Sequence, residues 1–225
     1  MTKHLAAAAV ITIVLSPSLF AEERRVVSGR DFCVPAANLV KADPSLERAT
    51  RHLPERGFAF LIAATDLRSD SPVVPQKNIN AQDMPITGTI EPLSDGRAID
   101  RYPKDHYWFR MAHAPDAIVE TDGRQRHVVV FENVKREFWV IWRVLEGAPL
   151  TTASLDENAL VVASCRRTSF RNLKQRKVDE TASCQRNVRA GDFRLSYSFD
   201  PLNLPTIIKL DNAVSRAVLG WQCRV

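Results

Sequence analysis

The sequence predicts a β-rich α+β domain: a mainly antiparallel sheet or sandwich with a short N-terminal helix and a C-terminal helix, reinforced by disulfides. Three observations carry this. Short apolar runs of strand length, separated by turn signals, fill the middle of the chain. An amphipathic helical pattern closes it. Four cysteines, Cys33, Cys165, Cys184 and Cys223, all lie beyond an apolar leader.

The leader comes first. Lys3 makes a basic start, Leu5 to Leu15 is apolar, Ser16-Pro17-Ser18 breaks the run, and Ala21 offers a small residue for cleavage. This is the layout of a secretory signal peptide over residues 1–21. The run is shorter than the roughly 20 residues that cross a bilayer. No later apolar stretch reaches that length, so the mature chain is expected to lack a transmembrane segment. Residues 22–225 are expected to form a single globular domain, with 45% of all residues hydrophobic and 25% charged. Export, few cysteines and the absence of an Asn-x-Ser/Thr sequon fit a bacterial periplasmic protein.

Arg25 to Val34 reads as a strand ended by Pro35. Asp43 and Pro44 form a helix start, followed by Leu46, Ala49 and Leu53 near helical spacing. Gly57 to Ala63 is another apolar strand. Residues 65 to 85, crowded with Asp, Ser, Asn and Pro, read as a long loop. From Ile86 the chain becomes strand-rich. Ile86 to Ile90 alternates, Ser94-Asp95-Gly96 is a turn, and His106 to Met111 reads as an aromatic strand. Ala117 to Glu120 and His127 to Glu132 flank the Asp122-Gly123 turn signal. Glu137 to Leu145 is apolar on both faces, so it is expected to be central and covered on both sides. Leu160 to Arg167, Ala182 to Arg189 and Phe193 to Phe199 complete the strands. After Pro205, Ile207, Leu210, Val214, Ala217 and Val218 share one helical face, with Gly220 just beyond.

Four cysteines allow three pairings. In an antiparallel hairpin of Leu160–Arg167 with Ala182–Arg189, positions whose numbers sum to 349 face each other. Cys165 and Cys184 meet that condition, which leaves Cys33 with Cys223. There is no Cys-x-x-Cys and no zinc-ligand interleaving with histidine, so disulfides are expected in place of metal ligation.

The formal net charge is +5. Eight of the cations fall between Cys165 and Arg189, against only Asp179 and Glu180, so the basic character belongs to one segment. Arg166, Arg167, Arg171, Lys174, Arg176 and Lys177 lie at or near the expected tip of a basic hairpin over about residues 160–189. Such a cluster suits an anionic envelope component or an acidic protein partner; as a plain solvated loop the same charges would do nothing. Nucleic acid is not expected, since Phe170 alone interrupts the cations with an aromatic ring.

Other candidates are weaker. Tyr102 to Phe109 has the composition of a sugar- or protein-binding surface, although large aromatics on a strand more often belong to a core. His106 and His113 would lie on opposite faces of a strand. No Gly-x-Ser-x-Gly elbow, Ser-x-x-Lys or His-Glu-x-x-His nominates a catalytic residue. No cofactor or metal site is expected. The function predicted from sequence is an exported, non-catalytic binding protein of the inhibitor or immunity type. An envelope hydrolase and a structural accessory subunit are the alternatives.

Overall fold

Alternation along the chain becomes a two-sided sheet. The computed structural model describes residues 21–40, 57–67, 72–78, 82–93, 106–155, 160–172 and 177–224, with backbone alone for 169–172 and 177–179. Residues 1–20 of the expected leader, the helix near Pro44, the Ser94-Asp95-Gly96 turn and Tyr102 lie outside the described residues.

Among the described residues, eight strands form one antiparallel sheet. They are β3 (Phe58–Ile62), β6 (Ile86–Pro92), β7 (Ile118–Asp122), β8 (His127–Phe131), β9 (Phe138–Arg143), β10 (Leu160–Asn172), β11 (Lys177–Ala190) and β12 (Phe193–Phe199). Their spatial order is β3-β6-β12-β11-β10-β9-β8-β7. The expectation left open a sheet or a sandwich; the large element is a sheet. Two small antiparallel pairs accompany it: β1 (Glu22–Val27) with β2 (Arg30–Pro35), and β4 (Gln76–Lys77) with β5 (Asp83–Met84).

Each face of the sheet has its own core. On one face Phe58, Phe60, Ile90, Leu195, Tyr197 and Phe199 pack with α2 (Ile207–Leu219) and with Phe32 and Val34 of β2. The helix α2 contributes Ile207, Leu210, Val214 and Val218 of the expected stripe together with Ala213, while the expected Ala217 is only partly buried. On the opposite face Val128, Val130, Val140 and Trp142 pack with Met111 and Ala112 of α1 (Tyr107–Ala112) and with Leu155. Strand β9 lies between the two cores: Trp139 and Ile141 enter one, Val140 and Trp142 the other. That is the doubly covered strand expected from its composition. Gly88 of β6 lets two aromatic residues approach the sheet. A Cβ there would stand 2.5 Å from Phe60 Cζ and 2.9 Å from Tyr197 Cβ.

Two expectations are corrected. Arg25 to Val34 is two strands, because Ser28 and Gly29 adopt φ of 52° and 76° and turn the chain back on itself. His106 to Met111 is not a strand. The His106 imidazole accepts from Trp108 N at 3.3 Å as an N-cap, and α1 follows. His106 and His113 therefore bracket a short helix, where aromatic composition had suggested a strand. The 65–85 stretch also carries local structure: a 3-10 turn at Ala64–Asp66 and the β4–β5 ladder.

Candidate binding site

The long hairpin β10–β11 organises the site. Its register pairs Cys165 with Cys184, as the sum rule requires, and the two are bonded. Cys33 and Cys223 form the second disulfide. Strand β9 flanks β10 as far as the Phe138–Arg166 pair, and β12 flanks β11 only from Cys184 onward. Arg167 N still donates to Glu137 O at 2.7 Å, and from Thr168–Thr181 to Asn172–Lys177 β10 and β11 pair with each other alone among the described residues. At about 3.4 Å per residue, the two-stranded extension is about 17 Å long. The disulfide crosses its base.

Of the six predicted cations, Arg166 and Arg167 lie at the base of this extension and Arg171 and Lys177 near its end. Arg166 is exposed, with its guanidinium 5.1 Å from the Phe138 ring centre. Arg167 lies over Trp139 at 5.9 Å, with Glu180 3.6 Å away. Arg171 and Lys177 occupy the last rungs of the ladder. Lys174 and Arg176 lie outside the described residues. At the base, Gln76 Nε2 donates to Ser183 Oγ at 2.6 Å, tying the segment around β4 to the hairpin.

The remaining basic residues of the same sequence window lie elsewhere. At the other end of β11, Arg186 makes a two-pronged ion pair with Asp211 of α2, both contacts at 2.7 Å. It also donates to Val162 O at 2.5 Å, and Tyr197 Oη donates to Asp211 Oδ1 at 2.5 Å. Both charged side chains are only 13% exposed. Removing one partner of such a pair typically costs about 3–5 kcal/mol, because the other charge is left uncompensated. Burial pushes the Tyr197 hydroxyl well above its ordinary pKa, and the Asp211 charge adds to the effect.

This ion pair stands at a cleft of about 890 Å³ between α2 and the sheet. His127, Arg143, Arg189 and Lys209 also line it. His127 is 9% exposed and pairs in register with Arg143 across β8 and β9. Burial holds its imidazole below the ordinary pKa; Asp122 opposes this, and Arg143 and Arg186 reinforce it. Sequence reasoning did not single out this cleft. Its residues come from β8, β9, β10, β11, the turn before α2 and α2 itself, and no motif spacing links them.

No family model matches the chain, and no curated protein matches it. Among solved structures it is similar to an immunity protein of the Stenotrophomonas maltophilia type IV secretion system. The TM-score is 0.47 at 9% identity, over 91% of this chain and 94% of that one. A likeness this loose carries no argument about function.

Proposed function

We propose that this chain is an exported, non-catalytic binding protein that presents the basic β10–β11 hairpin to an acidic protein partner, as inhibitor and immunity-type proteins do. One observation carries the reading: the hairpin continues past both of its flanking strands as a ladder braced by Cys165–Cys184. Its outer edges offer backbone N–H and C=O groups that a partner strand can pair with. Arg166, Arg167, Arg171, Lys174, Arg176 and Lys177 add the long-range attraction that steers association. A protein partner uses both features; a lipid headgroup uses only the charge. Two disulfides support an oxidising compartment such as the periplasm. The signal peptide over residues 1–21 and the single domain over 22–225 belong to the same proposal.

The test replaces Arg171, Lys174, Arg176 and Lys177 together with Glu, leaving the base of the hairpin intact. Immobilised protein is exposed to envelope extract, and bound proteins are quantified by mass spectrometry. The native protein should retain a stoichiometric acidic protein, and the charge-reversed variant at least tenfold less. Equal retention by both refutes the hairpin as the docking element. Binding to anionic vesicles with no protein retained transfers the role to an envelope lipid.

A further inference from the structure

We propose that the cleft between α2 and the sheet binds a small amphipathic anion: a sulfonate-, phosphate- or carboxylate-type headgroup on an apolar body. The inference is independent of the hairpin's role. At about 890 Å³, the cleft lies within the range of roughly 300–1,000 Å³ typical of small-molecule sites.

The charges of its lining are unbalanced. Among the described residues Asp211 is the lone carboxylate of the lining, and Arg186 already grips both of its oxygens. Arg143 and Arg189 therefore leave the described lining with a net positive charge. The walls between these charges are apolar, built by Leu160, Val162, Val188, Leu204 and Ile207. A neutral hydrophobe would leave the charges unused, and a bare inorganic ion would leave the walls uncovered. An ion with an apolar body matches both.

His127 supplies the second, independent observation. Its ring faces the cleft and is nine-tenths buried, yet among the described residues it makes no hydrogen bond. Buried polar groups are ordinarily partnered. A headgroup oxygen in the cleft would accept the imidazole N–H, and Arg143, directly across the ladder, would supply the charge. The exposed Ile208 extends the apolar wall at the rim, where the ligand's tail would leave.

The probe is decanesulfonate, whose charge does not change with pH, titrated calorimetrically into the oxidised protein below the critical micelle concentration. One equivalent should bind saturably, and decanol should bind at least tenfold more weakly. The R143E/R189E double variant should lose at least tenfold in affinity, and K135E, in the β8–β9 turn, should bind as the native protein does. Hydrogen exchange on the native protein gives a readout that needs no variant: decanesulfonate should protect amides of residues 186–189 and of the first turn of α2. The proposal is overturned by binding only above the micelle threshold, by equal affinity for decanol, by an unchanged affinity of R143E/R189E, or by protection elsewhere in the chain.

Discussion

His127 shows how one buried side chain couples the fold to pH. In the folded protein, burial favours the neutral ring, and Arg143 and Arg186 also resist its protonation, while Asp122 opposes them. In the unfolded chain the ring titrates near the ordinary histidine value of about 6.5. Below that value the unfolded state binds more protons than the folded state, so stability is complete above it and falls as the pH drops toward the folded-state pKa. Thermal midpoints measured at pH 7.5 and 5.0 should therefore fall further for the native protein than for His127→Gln, which keeps a polar group but cannot titrate. The carboxylates titrate in both proteins, so their contribution cancels in the comparison. Parallel pH profiles would mean that the ring is as free to ionise in the folded state as in the unfolded one.

At the scale of elements, the β10–β11 hairpin both outruns its flanking strands and carries its own cross-link. Its two cysteines are 19 residues apart, and in the chain-entropy model a loop of that size contributes about 3 kcal/mol. Replacing both Cys165 and Cys184 with Ser should lower the unfolding free energy obtained from urea titration by about 3 kcal/mol. The same change should weaken partner capture, because among the described residues no further strand pairs with the ladder from Thr168–Thr181 outward. A variant with native stability would show that flanking strands β9 and β12 hold the base unaided. This hairpin was legible in sequence because its register is a property of two positions: if Cys165 and Cys184 face each other, every other pair follows. Strand β12 was equally legible, since Phe193, Leu195, Tyr197 and Phe199 alternate with polar residues and face one core. The turn at Ser28-Gly29 was missed because Val26-Val27 and Phe32-Cys33 look continuous unless the left-handed geometry of Ser28 is known. Helix α1 was missed because Tyr107, Trp108 and Phe109 favour strands on average, while packing of Met111 and Ala112 against the second core decides the outcome. The cleft was hidden for a different reason. His127 and Arg143 become neighbours only through the β8–β9 register, and Arg186 and Asp211 only through docking of α2 on β11.

Across the whole molecule, the two ends of the described chain are clasped. Cys33 is bonded to Cys223, Cys33 N donates to Trp221 O at 2.7 Å, and Cys223 N donates to Asp31 O at 3.0 Å. Next to this seam, Phe32 packs edge-on against Phe58 and Phe193, so the β1–β2 pair is anchored to both β3 and β12. The cross-link spans 190 residues, so it restricts nearly the whole unfolded chain. The same entropy model gives about 5 kcal/mol for a loop of that length, a large share of the roughly 5–15 kcal/mol that stabilises a typical domain. The clasp also bears on α2, since Trp221 lies just past the helix that forms one wall of the cleft and meets Phe60 edge-on at 6.0 Å. Replacing Cys33 and Cys223 with Ser should therefore lower the denaturation midpoint by more than the Cys165/Cys184 change does. It should also raise the denaturant dependence, because the unfolded chain is free to expand. Hydrogen exchange should quicken in β1, β2 and the last turn of α2 before it does in β8 and β9, whose core lies on the other face. If the ends exchange no faster than the centre of the sheet, the backbone bonds and Phe32 hold the seam by themselves, and the disulfide acts on the unfolded chain alone.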